Sequence, residues 1–317
     1  MTRPAEVTAI VLAAQREGRL DPLAAQAGVT HKCLVPIGGR PLLAHVLAAL
    51  VGAPGVKAIR ISVEPGADRM LRPIVDSLAT AVPVEFVAAA STITDSVYAA
   101  AGGDGGPFIV TTADNVLLTA NAVQQVASRL TSGDDAVVAL SRREDVLSAH
   151  PQGQRRFYRF TDGRYSNCNL YGLSSAGLDL AETYRSGGQF AKNPRRIIQA
   201  VGLINLLILR YGLVSLPRAM KRLGRRFGVR ASAVVLKDGA HAIDVDNART
   251  YSIAAQLLES RAGSAWSLFI WNRRDRREAV ARGSVLEGVA GLRVASATRL
   301  RCAPTQHASS GDHGASI

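Results

Sequence analysis

Apolar segments of strand length alternate with segments of helical periodicity over the first 140 residues, and this alternation limits the possible folds. The stretch 7–12 is a short β-branched apolar run, and 41–51 carries apolar residues at the spacing of one helix face. Further strands and the helices between them are predicted at 58–63, 69–81, 84–87, 95–101, 107–112, 120–130 and 136–140. Strands joined by helices form a parallel sheet covered on both faces. We therefore predict a doubly wound, mostly parallel α/β fold with three layers.

The second half of the chain is less regular. Residues 155–160 alternate in polarity and predict a hairpin with 164–173, placed at the edge of the sheet. The pattern weakens after residue 262, and 304–317 is rich in Ser, Gly, Ala and His, which predicts disorder. The remaining helices and the remaining strand are predicted at 178–186, 193–210, 217–227, 231–236 and 250–259.

The charge of the chain favours anionic partners. The chain has 317 residues and a formal net charge of +13, which favours binding to nucleotides, nucleic acid or an acidic membrane surface. The basic residues are concentrated at 185–230 and 261–301, whereas the first 140 residues are nearly balanced. Aromatic residues make up only 5% of the chain and offer few platforms for base stacking, so we expect no nucleic-acid partner.

The cysteines and the N-terminal residues indicate the cellular compartment of the protein. Cys33, Cys168 and Cys302 are far apart and lack C-x-x-C spacing, which argues against a disulfide framework or a structural zinc site. No apolar leader follows Met1, and the apolar stretch 197–209 is too short to span a bilayer. We therefore expect a cytoplasmic protein, with Cys33 as a packing residue and not a nucleophile.

A loop of small residues follows the first strand. Leu12, Ala13, Ala14 and Gln15 lead into Arg16, and Arg19 and Lys32 add positive charge nearby. Small side chains after a strand let backbone N–H groups approach an anion, and a triphosphate suits such a loop. The sequence is neither a P-loop nor G-x-G-x-x-G, and a plain strand-to-helix connection is the alternative.

Acidic residues follow two later apolar segments. Asp114 comes directly after the strand 107–112, at the sheet edge where the opening loop also lies. Asp244 and Asp246 precede the last predicted helix. A carboxylate at such a place holds a cation or caps a helix. Asp246 could cap the helix beginning near Asn247, and for this residue the two roles can coexist.

The residues from the opening loop to Leu42 resemble the signature of a nucleotidyltransferase family. Residues 32–42 follow the pattern Lys-x-Leu-x-Pro-x-x-Gly-x-Pro-Leu, and the combination is similar to the MobA-like and sugar-phosphate nucleotidyltransferases, which have a Rossmann-like, GT-A-like fold. The family usually has Leu-Ala-Gly-Gly where this chain has Leu12, Ala13, Ala14 and Gln15. The insert 19–28 is longer than in simple members and is expected to form a helical turn over the nucleotide.

The resemblance implies roles for individual residues. Lys32, with Arg16, compensates the charge that develops on the α-phosphoryl group. Asp114 binds Mg²⁺, and the segment 243–247 resembles the second acidic segment of the family, so Asp246, helped by Asp244, completes the metal site. The implied nucleotide-binding residues are Leu12, Ala13, Ala14, Gln15, Arg16, Lys32, Ser96 and Asp114.

Three further polar residues have two interpretations each. Ser96 ends the stretch 91–96, where relatives carry a loop that recognises the base or ribose, or it is an early residue of the next helix. Asn167 and Asn169 resemble the asparagines that bind the acceptor in the family, or they are turn-forming residues.

The implied reaction transfers an NMP group from an NTP to a small phosphorylated acceptor and releases pyrophosphate. CTP with a sugar, polyol or alcohol phosphate is favoured, and GTP with a cofactor phosphate is the alternative. A GT-A glycosyltransferase and a non-catalytic nucleotide-binding regulator stay open as other classes. On this interpretation 1–262 is the nucleotidyltransferase domain, with an acceptor-binding subregion at about 150–235, and 263–317 is a weakly specified basic extension.

The stretch from 195 to 226 combines an apolar helix with a basic one. It suits peripheral contact with an anionic membrane. A buried helix beside a solvated basic face, or the contact of a homodimer, are the alternatives. The run 273–277 is basic too, and it is interpreted as a solvated face.

Overall fold

A mixed sheet with helices on both sides organises the computed structural model, which describes residues 6–15, 20–178 and 211–262. The strands are β1 (Val7–Leu12), β2 (Pro36–Ile37), β3 (Arg40–Pro41), β4 (Val56–Val63), β5 (Val84–Ala88), β6 (Phe108–Thr112), β7 (Ala136–Arg142), β8 (Tyr158–Phe160), β9 (Gly163–Leu173) and β10 (Ala231–Leu236). The helices are α1 (Pro22–Ala27), α2 (Leu42–Val51), α3 (Asp68–Asp76), α4 (Ile93–Ala101), α5 (Ala120–Thr131), α6 (Arg143–Ala149), α7 (Leu216–Phe227) and α8 (248–262).

The main sheet has eight strands in the order β10-β7-β9-β6-β1-β4-β5, with β8 paired to β9. Strand β1 is parallel to β4 and β6, β4 is parallel to β5, and β10 is parallel to β7. Strand β9 is antiparallel to β6, β7 and β8, so it alone runs against the direction of the other seven. The predicted doubly wound, mostly parallel α/β sheet is confirmed.

The alternation of side chains along β1 explains the three layers. Val7, Ala9 and Val11 pack with residues of α2, α3 and α5 on one face of the sheet. Ile10 points to the other face, where it packs with Val97 of α4. Because successive strand residues face opposite sides, a strand that is apolar at almost every position must be covered on both.

The predicted hairpin forms, but its place in the sheet was predicted wrongly. Strand β9 lies between β6 and β7 and not at the edge, and β8 spans only three residues, Tyr158–Phe160. Cys168 and Leu170 of β9 are fully buried, and α5 approaches Gly172 so closely that a Cβ atom there would lie 2.9 Å from Val126. The alternation of polar and apolar residues in this strand resembles that of an edge strand. Its asparagines are nevertheless interior, because they face the acidic side chains described below.

Three helical segments refine the sequence interpretation. Helix α3 ends at Asp76, before the predicted limit of 81, and Ala79 adopts a left-handed conformation with φ of 45°. The insert does form a helix, α1, whose first turn is capped by the Asp21 carboxylate accepting from the Leu23 amide at 2.8 Å. Helix α6 was not predicted, since its seven residues are mostly polar.

Several predictions fall outside the described residues. They are Arg16 and Arg19, the helices placed at 178–186 and 193–210 beyond residue 178, Cys302, and the extension 263–317 with its basic run and its disordered end. Contacts along the chain group Met1–Trp266 in one unit and Ser267–Ile317 in a second. The functional division at residue 262 and the acceptor subregion at 150–235 stay predictions. Across the described ranges, none of the helices has the length and apolar character needed to cross a bilayer.

We expect Gly239→Ala to destabilise the fold. Gly239 begins a short 3-10 helix, Gly239–Ala242, and a Cβ atom there would lie 2.2 Å from the carbonyl carbon of Asp145 and 2.3 Å from the amide nitrogen of Val146. Since backbone atoms cannot yield without moving α6, a loss of about 1–3 kcal/mol in the free energy of unfolding is expected. Gly105→Ala is the control, because its nearest neighbour would lie at 3.9 Å. Equal urea midpoints for both variants would contradict the prediction.

Candidate active site

Backbone hydrogen bonds join three segments at the carboxyl edge of the sheet. The Ala13 amide donates to the Ser62 carbonyl at 2.9 Å, and the Ala113 amide donates to the Leu12 carbonyl at 3.0 Å. The amide of Val245 donates to the carbonyl of Asp114 at 3.2 Å. The opening loop, the end of β6 and the second acidic segment therefore meet at one place, where parallel α/β sheets bind ligands.

Lys32 lies between two carboxylates at this edge. It starts a 3-10 helix, Lys32–Leu34, and its Nζ is 2.5 Å from Asp114 Oδ2 and 3.4 Å from Asp246 Oδ1. The side chains of Lys32 and Asp114 are 22% and 17% exposed, whereas that of Asp246 is 67% exposed. The lysine thus reaches from a half-buried carboxylate toward solvent, where a ligand can approach both charges.

Asp114, Asp244 and Asp246, which we call the acidic cluster, interact electrostatically with one another and with Lys32. Burial works to lower the pKa of Lys32, but the charge and hydrogen bond of Asp114 and the charge of Asp246 outweigh it, so the pKa lies above its ordinary value. Burial, with the nearby charges of Asp114 and Asp246, raises the pKa of Asp244 well above the usual aspartate value. One cation among three carboxylates leaves an excess of negative charge, and a further cation at this edge would relieve it.

Asp244 is tied to β9 through an asparagine. Asn169 Nδ2 donates to Asp244 Oδ2 at 2.6 Å, while Asp244 itself is only 7% exposed. The backbone carbonyl of Asn169 accepts from the Thr111 hydroxyl at 2.8 Å, which links this strand to β6. Asn169 has φ of 45°, a left-handed conformation that asparagine tolerates better than most residues. Its amide is thereby aimed at the acidic segment.

Asn167 supports Asn169. Its Nδ2 donates to Asn169 Oδ1 at 2.9 Å and also contacts the Tyr171 hydroxyl in a short hydrogen bond. Its Oδ1 accepts from the Asn169 amide at 3.3 Å. Both asparagines lie beside the acidic cluster, and their side chains form a connected network with Asp244 instead of serving only as turn residues.

The helix following the second acidic segment is capped by Asn247. Its Oδ1 accepts from the amides of Arg249 at 3.1 Å and Thr250 at 3.2 Å. The Asp246 amide donates to the Thr250 hydroxyl at 2.9 Å. The alternative in which Asp246 caps this helix is therefore wrong, and its carboxylate points to Lys32.

The opening loop is held by Gln15. The Gln15 amide donates to Glu64 Oε1 in a short hydrogen bond, and its side-chain Nε2 donates to the Thr30 carbonyl at 2.9 Å. Glu64 Oε2 lies 3.5 Å from His31 Nε2. Ala13 is buried, Ala14 is exposed and Leu12 is half-buried. Gln15, one of the two residues that depart from the family pattern, thus connects the loop to the segment preceding Lys32.

The structure places the Ser96 hydroxyl inside its own loop. It donates to the Thr92 carbonyl at 2.9 Å, accepts from the Ala90 amide at 3.0 Å, and is only 6% exposed. Thr92 caps α4. Ser96 is therefore an early residue of this helix, which holds the shape of the loop 89–92.

The cysteines near the site are inert. Cys33, beside Lys32, is 2% exposed, and burial together with the charge of Glu64 raises its pKa to about 12. Cys168 is fully buried, and burial raises its pKa to about 12 as well. Neither thiol ionises at neutral pH, which confirms the packing role predicted for Cys33.

Two buried carboxylate oxygens are suited to binding a metal ion. Asp114 Oδ1 and Asp244 Oδ1 are buried, and neither has a hydrogen-bond partner among the described residues. A buried carboxylate oxygen without a partner is costly, and a hard cation satisfies it. Within the described ranges, however, no three or more His, Cys, Asp or Glu side chains are grouped so that they could hold a metal ion. The donor chemistry fits a cation, while Lys32 now occupies the space between Asp114 and Asp246.

Sequence reasoning missed Glu64, Asn115 and Tyr171. Glu64 follows β4 just as Asp114 follows β6, so its position at a strand end was the available signal. Asn115 is fully buried, and its Nδ2 donates to the Cys168 carbonyl at 3.0 Å, which fixes the turn carrying Asp114. The sequence gives no signal that Asn115, next to Asp114, will hydrogen-bond to a strand more than 50 positions away.

The mostly parallel sheet, with a lysine and acidic side chains at its carboxyl edge, defines the chain as an α/β protein whose polar side chains gather where such sheets bind ligands. Residues 9–244 match the MobA-like NTP transferase domain, and the chain belongs to that family. The matched range includes Lys32, Asp114, Asn169 and Asp244 and ends just before Asp246.

Individual relatives agree with this assignment. The chain is 27% identical over 128 residues to 2-C-methyl-D-erythritol 4-phosphate cytidylyltransferase of Gloeobacter violaceus, a match covering 39% of this chain and 55% of that protein. It is 29% identical over 187 residues to the bifunctional protein GlmU of Acidiphilium cryptum, covering 55% of this chain and 39% of that protein. The chain thus spans about half the length of the curated relatives it matches.

A solved structure from Thermus thermophilus, described as a hypothetical transferase, superposes with a TM-score of 0.63. It is 28% identical in sequence, and the match covers 78% of this chain and 99% of that one. The likeness therefore extends through nearly the whole of the other protein.

Proposed function

We propose that this protein is a nucleotidyltransferase, which transfers an NMP group from an NTP to a small phosphorylated acceptor. The observation that carries the proposal is the position of Lys32, whose Nζ lies 2.5 Å from Asp114 and 3.4 Å from Asp246 at the carboxyl edge of the sheet. Family membership over residues 9–244 supports it. An oxygen of the acceptor phosphate attacks the α-phosphorus, the bond from that phosphorus to the bridging oxygen breaks, and pyrophosphate leaves with the electron pair.

The chain contributes positioning and charge to this reaction. Negative charge accumulates on the α-phosphoryl oxygens in the transition state, and a lysine held ready by carboxylates stabilises it at little cost in reorganisation. The raised pKa of Lys32 keeps the ammonium charged at neutral pH. The direct attack needs no nucleophilic side chain, which agrees with the inert thiols of Cys33 and Cys168. The proposed roles of Ala13, Ala14, Gln15 and Arg16 are to surround the triphosphate.

We propose Mg²⁺ as the cofactor, held by Asp114 and Asp246 with help from Asp244. One or two protein carboxylates with phosphate oxygens and water complete a magnesium shell, and the partnerless Asp114 Oδ1 and Asp244 Oδ1 suit that need. When bound, such an ion neutralises phosphate charge and aligns the leaving pyrophosphate. Lys32 would then be released from the carboxylates to contact phosphate.

CTP and a sugar, polyol or alcohol phosphate are the proposed substrates. The cytidylyltransferase from Gloeobacter violaceus supports this choice by its likeness over 128 residues. GTP with a cofactor phosphate is the alternative, in line with the MobA-like family. Asn167 and Asn169, beside the acidic cluster, are proposed to lie at the acceptor side. A reducing cytoplasm is the proposed location, which the free thiols of Cys33 and Cys168 support.

A pyrophosphate-release assay tests the proposal. The protein is incubated with Mg²⁺, each of the four common NTPs in turn, and a pool of sugar, polyol and alcohol phosphates. Release with one NTP that requires one acceptor is the expected result. NTP binding by thermal shift without release from any pair would contradict the transferase and favour a regulator, whereas transfer from a nucleotide sugar would favour a glycosyltransferase.

We expect Asn169→Gly to lower kcat by about 10- to 100-fold, because the residue orients Asp244. Glycine retains the left-handed backbone and removes the side chain that contacts Asp244 and Asn167, so the fold should stay intact. Asn121→Ala, on the exposed face of α5, is the control. A residue that only bound the acceptor would raise KM for the acceptor with kcat unchanged, and that split, measured by pyrophosphate release, would contradict the orienting role.

A further inference from the structure

Positive charge is strongly concentrated in the stretch of the chain that contains α7 and β10. Between residues 183 and 237 the sequence has twelve Lys or Arg residues and no Asp or Glu. The part of this region that the structure describes begins at Tyr211 and contains α7. Such a concentration of one sign opposes folding by self-repulsion, so it suggests an anionic partner.

Helix α7 separates its charges from its apolar residues. Leu216, Ala219 and Gly224 are buried, and Leu216 packs with Leu140 and Tyr165 of the sheet. The exposed residues on the opposite side, spaced as one stripe along the helix, are Arg218, Lys221, Arg222 and Arg225. We call these four residues the basic stripe.

Exposed apolar side chains lie at the N-terminal end of the same helix. Tyr158 and Tyr211 are each 63% exposed and Leu213 is 61% exposed, and we call these three residues the apolar cluster. The two segments that carry them are neighbours, because a Cβ atom on Gly212 would lie 2.7 Å from the Arg159 carbonyl oxygen. The Thr161 amide also donates to the carbonyl of Val214 at 3.0 Å.

The apolar cluster lies at the same edge of the sheet as the candidate active site. Tyr158 pairs with Tyr165 of β9, which in turn pairs with Arg142 at the carboxyl end of β7. The Asp162 carboxylate accepts from the Leu216 amide at 2.9 Å and fixes the start of α7 there. Asn167 and Asn169, on the same β9, lead from this hairpin to Asp244.

We propose that the basic stripe and the apolar cluster form a docking surface for an anionic lipid bilayer. Basic residues beside exposed tyrosine and leucine suit the boundary between head groups and acyl chains, where the charges meet lipid phosphates and the apolar groups leave water. A second copy of the chain would carry the same positive charge and be repelled. A nucleic acid would match the stripe but would leave Leu213 exposed.

Vesicle co-sedimentation of the full chain tests this docking surface without using turnover. The probes are phosphatidylcholine vesicles with and without phosphatidylglycerol. We expect binding only to the anionic vesicles, weakened by salt. The triple variant Arg218→Glu, Lys221→Glu and Arg225→Glu should bind more than about tenfold more weakly. The control is Lys57→Glu with Arg69→Glu, two exposed basic residues on β4 and α3, and it should bind like the wild type because β4 is far from β10 in the sheet.

A second variant separates the membrane from other anions. Leu213→Ser with Tyr158→Ser keeps every charge and should still weaken vesicle binding several-fold, because it removes the apolar contact. The proposal is overturned if this variant binds as the wild type does, if the triple variant retains binding, or if the wild type binds no anionic vesicle. Release of the protein from vesicles by equimolar duplex RNA would likewise overturn it in favour of a nucleic-acid partner. Thermal unfolding verifies that all variants are folded.

Discussion

Replacing Asp114 by Asn is expected to lower the rate of pyrophosphate release by on the order of 10²–10³. The substitution keeps the shape of the side chain but removes the negative charge that faces Lys32 at 2.5 Å. Under the proposal, it also removes the principal ligand of Mg²⁺. The rate is measured at saturating NTP and acceptor with varied Mg²⁺, and a higher Mg²⁺ requirement is expected together with the lower kcat.

The control for this prediction is Asp76→Asn, an exposed aspartate at the end of α3. It changes the net charge by the same amount and should leave both kcat and the Mg²⁺ dependence as they are. Unchanged release by Asp114→Asn would remove this residue from the reaction. A loss of the thermal transition would instead indicate a structural role.

Lys32→Met is expected to reduce kcat by a similar factor, because it removes the cation that stabilises charge on the α-phosphoryl group. It should also destabilise the protein, since Asp114, Asp244 and Asp246 would then repel one another without compensation. Mg²⁺ competes with the lysine for the same carboxylates. The thermal midpoint of the variant should therefore rise more steeply with Mg²⁺ than that of the wild type.

Lys57→Met is the matched control, because Lys57 is an exposed lysine on β4 away from the cluster. Its thermal midpoint should respond to Mg²⁺ as the wild type does. An equal response in Lys32→Met and the wild type would show that the ion binds elsewhere. Full activity of Lys32→Met would contradict its role in the transition state.

The fold was largely predictable because β1, β4, β6 and β7 are mostly apolar and are separated by segments of helical periodicity. Periodicity of this kind reports burial directly. The position of β9 was not predictable, since its polar residues at Asn167 and Asn169 resemble those of an exposed strand. Polar residues occupy this interior strand because they face the acidic cluster. That cluster forms only in the folded chain.

Within the candidate site, the strand-end rule located Asp114 and the family pattern located Lys32. Neither could show that Lys32 bridges Asp114 and Asp246, residues 82 and 214 positions away. The same limit applies to Gln15, whose contact with Thr30 depends on how α1 packs and whose contact with Glu64 depends on the pairing of β1 with β4. Long-range pairings follow from the topology of the sheet and not from local sequence.

The position of the transferred phosphorus tests the central claim most directly. The protein is supplied with Mg²⁺, the acceptor found in the release assay, and NTP labelled with ³²P at the α-position in one sample and at the γ-position in another. The account predicts that the α-label appears in a product containing both nucleotide and acceptor, while the γ-label appears in pyrophosphate. Transfer of the γ-label to the acceptor, or an acceptor that stays unlabelled in both samples, would contradict it.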